Sequence, residues 1–221
     1  MQIEYCEFPE DALYDLDNNV WVRLRSKNLA MLGITSVHAA LVGKLDKITF
    51  KPIESSLRRG QSVATIEGVR YFGVVRTPLT GTLIETNTSL CTQPKLANDS
   101  PYEDGWFVKI EPNLALEEMK ALRDLEAARE TIKSQISQFR VRCFKAFPDH
   151  DMWEIGVECA AVLVRLNELI ERCAVNEVIH VVSDDPTADI EMERWSDQTG
   201  QPVLESRKEG KLVHFILKKV K

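Results

Sequence analysis

The stretch IEGVRYFGVVRTPLTG, residues 66–81, reads as a small β-hairpin that presents its tip as a display turn. The residue at the tip is Arg70. A guanidinium is delocalised and always charged, so it cannot serve as the neutral amine that acylation requires. No lysine occurs between Lys51 and Lys95, so the whole hairpin lacks a candidate amine.

Outward from this hairpin, short apolar runs bounded by turn residues recur from about residue 13 to 112. They are VWVRL, LAMLGI, KITF, SVATIEG, YFGVV, GTLIET and GWFVKI, a spacing that predicts a compact all-β unit. Over 114–139 the period changes. Leu116, Met119, Leu122, Leu125, Ala128, Ile132, Ile136 and Phe139 follow steps of three or four, which predicts one amphipathic helix of about 25 residues, roughly 37 Å long. That helix is expected to bridge two domains. Beyond Phe144 the order is a strand in MWEIGVE, a helix from Ala160 to Cys173, the strand VIHVVS and a helix around 186–199. Two strands joined by a KEGK turn follow, giving β-α-β-α-β-β with helices on one sheet face. The expected architecture is α+β: a β-rich domain over 1–113, an amphipathic linker helix over 114–143 and a small two-layer sandwich over 144–221.

Composition narrows the functional classes. The 221 residues are 44% apolar with a net charge of −6, enough for a core in each of two modest domains. Residues 146–221 hold 15 acids against 9 bases, the reverse of the basic face that nucleic acid demands. No apolar run approaches the roughly 18 residues of a membrane span, and MQIEYCEFPEDAL carries acids where a secretory signal carries bases, so a cytoplasmic protein is expected. Cys6, Cys91, Cys143, Cys159 and Cys173 show neither a zinc spacing nor a disulfide framework, which makes reduced thiols the default. His38, His150, His180 and His214 are dispersed and show no ligand spacing. No metal and no cofactor are expected.

From Val20 to Ile110 the chain resembles the glycine-cleavage H protein, a lipoyl-carrying relative of the biotinyl/lipoyl hammerhead fold. The resemblance rests on VWVR at 20–23, GIT at 33–35, Gly43, RRGQ around Gly60, IEGVR at 66–70, TPLTG at 77–81, Asn87, Pro94, Asn98 and SPYEDGWFVKI at 100–110, in this order and spacing. It implies a barrel-sandwich hybrid with a C-terminal helix. It also equates Arg70 with the lysine that carries lipoate, so the chain is expected to be unmodified there. Arg70 is then either an ordinary solvated turn residue or, with Arg58, Arg59 and Arg76, a forked hydrogen-bond donor to a partner's carboxylate or other anion.

Residues 150–220 resemble the TusA/SirA-like sulfur carriers, small domains that hold a persulfide on one cysteine. Gly156 and Cys159 in GVEC, SDDPTADIEMERW at 183–195, Gly200 and VHFILKK carry the resemblance. That family's cysteine is followed by proline, any residue and proline, whereas here Cys159 precedes Ala160, Ala161 and Val162. A cysteine in the first helical turn lies at the positive end of the dipole, which favours thiolate, while Glu154 and Glu158 would oppose it if they are near in space. Cys159 therefore stands open between a persulfide site and a small apolar core residue. Cys143, among bases in FRVRCF, is a candidate second thiol. Asp184 and Asp185 read as helix-capping residues before Pro186.

These readings imply a carrier or accessory protein more than a catalyst. It would be a sulfur-relay fusion docking on protein partners of sulfur or lipoate metabolism, or a scaffold in which both carrier sites are degenerate. A lipoyl carrier modified elsewhere ranks last.

Overall fold

The computed structural model describes residues 1–26, 28–113 and 116–221, and the chain divides into two compact units, Met1–Cys143 and Phe144–Lys221. The first unit runs β1 (Gln2–Ile3), β2 (Cys6–Glu7), β3 (Leu13–Asp15), β4 (Val20–Ser26), β5 (Leu29–Ile34), α1 (Ser36–Val42), β6 (Leu45–Phe50) and β7 (Ser56–Leu57). It continues with β8 (Ser62–Gly68), β9 (Phe72–Arg76), β10 (Gly81–Thr86), α2 (Ser89–Thr92), α3 (Leu96–Asp99), β11 (Val108–Pro112), α4 (Leu116–Ala121) and α5 (Leu125–Gln138). The sheets are ordered β3-β4-β5-β11-β10-β7 and β6-β8-β9, with β1 and β2 paired separately. Alternating side chains of both larger sheets meet in one core. Val20, Val22, Leu32, Leu83 and Ile110 from the first pack with Ile48, Val63, Ile66 and Val75 from the second.

The single long helix expected over 114–139 is in fact two helices, and its expected start at 114–115 lies outside the described residues. The chain leaves the helical path after α4 because Arg123 pairs with Tyr14 of β3. The Tyr14 N–H donates to the Arg123 carbonyl at 2.7 Å and the Arg123 N–H to the Tyr14 carbonyl at 3.0 Å. Asp124 then restarts the helix, its carboxylate accepting the Ala127 N–H at 2.8 Å. The apolar period runs through the break because both sides of it face inward, Met119 and Leu122 onto the sandwich core and Leu125, Ala128, Ile132 and Ile136 onto a cluster with Ile3, Phe8 and Trp21. The helical segment is thus part of the first unit's core. Asp124→Ala should destabilise that unit by about 1 kcal/mol through loss of the cap, measured by urea unfolding. An unchanged midpoint would mean that packing alone sets the restart.

The second unit follows the expected order: β12 (His150–Glu154), α6 (Cys159–Arg172), β13 (Val178–Ser183), α7 (Ala188–Thr199), β14 (Val203–Glu209) and β15 (Leu212–Lys218). The sheet order is β12-β13-β15-β14, with β12 and β13 parallel and the other pairs antiparallel. Val162, Leu166 and Ile170 of α6 and Met192 and Trp195 of α7 pack on Ile179, Val181, Phe215 and Leu217. Trp195 Nε1 donates to Asn167 Oδ1 at 2.8 Å, tying the two helices together. The two-domain α+β architecture expected from the sequence is present.

Candidate functional site

The display turn joins β8 to β9, with Glu67 opposite Phe72 at its base. It is closed by the Gly68 N–H donating to the Tyr71 carbonyl at 3.0 Å. Its backbone is anchored as well: Val69 N donates to Lys44 O at 3.0 Å and Arg70 N to Val42 O at 3.1 Å. The approach is close enough that a Cβ on Gly68 would lie 2.5 Å from Val42 Cγ1 and 2.9 Å from Lys44 O. Gly43, at φ +78°, turns the supporting chain, and a Cβ there would sit 3.2 Å from Arg70 Cγ, so the arginine stem lies over a bare backbone. Buried Asn98 holds this support. Its Oδ1 accepts the Leu45 N–H at 2.8 Å and its Nδ2 donates to Gly43 O at 2.9 Å. The result is a rigid turn that exposes Arg70 between Val69, Tyr71 and Phe72, with Val69 and Phe72 each more than 65% accessible.

The expected arginine group is not assembled. Arg76 opposite Ser62 marks the open end of the same hairpin, where its guanidinium donates to Gly60 O at 2.8 Å, and Arg58 and Arg59 lie in the adjoining turn. The length of β8, about 20 Å at 3.3 Å per residue, separates that end from Arg70. Arginines close in sequence were sent to opposite ends by the strand between them.

Cys159 is the first residue of α6, as its helix-start position required, but it is only 4% exposed and belongs to the second unit's core. Burial, then the charge of Asp185, then that of Glu191 push its thiol above the ordinary value of 9.0. The helix dipole does not prevail over these. Glu154 and Glu158, the acids expected to matter, act elsewhere: Glu154 pairs with Arg165, and Glu158 is the N-cap without a side-chain cap bond.

Asp184 and Asp185 do cap, but across to α6. Asp185 Oδ2 accepts the Cys159 N–H at 2.9 Å, and Asp184 Oδ1 accepts the Gly156 N–H at 2.7 Å, so the β13–α7 loop clamps the segment leading to the cysteine. Asp185 Oδ1 also accepts from the Thr187 hydroxyl and N–H, each at 2.7 Å. The Thr187 hydroxyl, the Thr187 N–H and the Cys159 N–H hold the Asp185 carboxyl below its ordinary 3.8. A depressed carboxyl stabilises the fold above its unfolded value and loses that effect as pH falls through the lower, folded one, so the clamp is fully set at neutral pH.

Three further arrangements escaped the sequence. Cys6 and Cys143 form a disulfide, which overturns the expectation of reduced thiols at those positions and removes Cys143 as a second relay thiol. Their separation of 137 residues leaves no local spacing to read, and only the fold brings the two ends together. His180 and His214, from neighbouring strands β13 and β15, hydrogen-bond through Nε2 and Nδ1 at 2.9 Å, and Asp151 lies 2.8 Å from His180 Nδ1. Finally, His150, Cys173 and Glu177 converge where β12, α6 and β13 meet. Two-residue offsets across paired strands would have been the only signal for the histidine pair.

A β-sandwich with an anchored display turn, followed by a two-layer unit with a cysteine at a helix start, defines a two-domain architecture of carrier type. The glycine cleavage H-protein family model matches residues 13–135, and that of sulfurtransferase TusA matches residues 154–219. The chain is 33% identical over 143 residues to glycine cleavage system H protein 3 of Aquifex aeolicus, covering 63% of this chain and 89% of that protein. It is also 33% identical over 145 residues to H protein 5 of the same organism, covering 64% and 98%. Over 140 residues it is 33% identical to a probable glycine cleavage system H protein 2 of Sulfolobus acidocaldarius, covering 62% and 93%. The chain belongs to the glycine cleavage H-protein family and carries a TusA-type domain behind its H-protein domain. Among the described residues no helix is long and apolar enough to cross a membrane.

Proposed function

We propose that this chain is a sulfur-relay protein: Cys159 accepts sulfane sulfur from a partner's persulfide, and the H-protein-like unit docks protein partners through the turn around Arg70. The observation that supports this most is the place of Cys159, at the first residue of α6 in the TusA-type unit, held by Asp185 through its backbone N–H. In the transfer, the Cys159 thiolate attacks the outer sulfur of R–S–SH, the S–S bond breaks, and Cys159–S–SH forms as R–S⁻ leaves. The acidic loop and the 4% exposure make opening of the 156–159 segment part of loading. In this role the protein carries a group and turns over no substrate of its own.

The group that the H-protein resemblance implies does not fit. A lipoyl amide needs a lysine amine at the turn, and this turn offers the Arg70 guanidinium.

A second reading, an adaptor that keeps the docking surfaces and has lost both carrier chemistries, is favoured by the buried, pushed-up thiol of Cys159. Intact mass after exposure to a persulfide donor separates the two. The relay predicts a species heavier by a single sulfur that is lost in Cys159→Ala. A chain that never gains that mass under conditions that load a TusA-type control leaves the adaptor.

A further inference from the structure

We propose that His150, Cys173 and Glu177 form a binding site for a divalent cation of the zinc class, at the end of α6 away from Cys159. Three elements deliver three different donors. His150 opens β12, Cys173 caps the C-terminus of α6, and Glu177 directly precedes β13. One ligand atom from each lies within 4.8 Å of the other two, and His150 Nε2 is already 2.9 Å from Glu177 Oε2. Zinc bonds of about 2.0–2.3 Å in a tetrahedron place ligand atoms roughly 3.3–3.8 Å apart, so the widest pair needs to close by only about 1 Å.

The backbone behind these donors is fixed. The Asp149 N–H donates to Val178 O at 2.7 Å and the Val178 N–H to Asp149 Oδ2 at 2.9 Å, which locks the start of β12 to that of β13. Glu177 Oε2 also accepts the Ala174 N–H at 2.9 Å, holding the carboxylate over the turn that follows α6. His150 and Glu177 are each partly open to solvent while Cys173 is buried beneath them, so a cation has a way in and a sulfur at the bottom.

The donor chemistry selects the metal class. One sulfur, one imidazole nitrogen and one carboxylate oxygen suit a borderline cation such as Zn²⁺, whereas Mg²⁺ and Ca²⁺ take oxygen sets. Three protein donors leave the fourth position to water, the pattern of reactive rather than purely structural zinc. Binding exchanges the thiol proton for the metal: Cys–SH plus M²⁺ gives Cys–S–M⁺ plus H⁺. The negative end of the α6 dipole and Asp149 favour the cation. Lys219 is the opposing charge, and its ammonium donates to the carbonyls of Ile170 and Cys173 at 2.8 Å each.

The probe is Co²⁺ added to the full-length chain with its disulfide intact, followed by absorption. The expected result is saturation at about one equivalent, with a thiolate-to-cobalt charge-transfer band and tetrahedral visible bands that Zn²⁺ bleaches. Cys173→Ser should abolish the charge-transfer band. His150→Ala, a change at a partly exposed residue, should weaken binding by at least about tenfold. Cys159→Ala and Cys91→Ser should leave the spectrum unchanged. Absence of the band in the native chain overturns the site, as does a band that survives Cys173→Ser or disappears with Cys159→Ala.

Discussion

Reduction of the Cys6–Cys143 disulfide is expected to destabilise the first unit by about 3–5 kcal/mol and to leave the second unit's unfolding where it was. The bond links residues 137 apart, so it closes nearly the whole first unit into a loop, and the entropy it removes from the unfolded chain is near the upper end for a single crosslink. It also joins parts that depend on each other. Cys6 is fully buried in the cluster made by Ile3, Phe8, Trp21 and the apolar face of α5, and Cys143 packs on the same cluster. Without the bond, the short β1–β2 pair is held by its few ladder bonds, by the Phe8 N–H bond to the Met1 carbonyl, by the Ser36 hydroxyl on the Glu7 carbonyl and by side-chain packing. Unfolding in denaturant with and without reductant reads the shift, and Cys143→Ser should reproduce the reduced state. Thiol counting in denaturant gives an independent check. Cys91, Cys159 and Cys173 should label before reduction and all five cysteines after it. Five labels without reductant would remove the bond, and with it the predicted difference.

The contrast between what the sequence disclosed and what it concealed follows the range of the interactions. Short β-branched runs such as SVATIEG and VIHVVS mark strands because composition and flanking turn residues are local signals, and both emerge with the expected limits. The period of three and four over 119–136 correctly reports the inward positions, Met119 and Leu122 on the sandwich core and Leu125, Ala128, Ile132 and Ile136 on the cluster of Ile3, Phe8 and Trp21. It is blind to the break at 122–124, because the bridge between Arg123 and Tyr14 spans more than a hundred residues. Helix α1 was not anticipated, since VHAALV between turns lacks the length over which a helical period is distinct. The site was legible to the same degree. The turn at Arg70 and the helix start at Cys159 are local features and stand where the residues put them. Besides burial in the core, the acids that push the Cys159 thiol up are distant in sequence, Asp185 in the loop before α7 and Glu191 on α7, whereas Glu154 and Glu158 are close in sequence and act elsewhere. The trio of His150, Cys173 and Glu177 likewise exists only through the parallel pairing of β12 with β13.

Asp185→Asn should speed alkylation of Cys159 at neutral pH, because removing a negative charge beside the thiol raises its thiolate fraction. Burial is the largest cause of the raised thiol and Asp185 the next, so removing the charge moves the pH–rate profile toward lower pH and leaves its midpoint alkaline. The sign is fixed: a thiol pushed above 9.0 is almost wholly protonated at neutral pH, and reactivity must climb as pH rises through and beyond that value. Asparagine keeps the size of the side chain but offers one accepting oxygen where the carboxylate offers two. Either the Cys159 N–H or the Thr187 pair loses its acceptor, and the first of these losses loosens the clamp on the 156–159 segment. Glu191→Gln, removing the lesser charge, should give a smaller shift in the same direction. Exposed Cys91 serves as the internal reference in peptide-level mass spectrometry. Native Cys159 reacting as fast as Cys91 near neutrality, or a profile unmoved by Asp185→Asn, would refute the electrostatic account. The same variant bears on function, because the two proposed roles respond to it differently. In a relay, the charge that restrains the thiolate also restrains sulfur loading, and Asp185→Asn should load faster from a persulfide donor. In an adaptor, the faster thiol acquires no sulfur and partner docking through the Arg70 turn is unchanged.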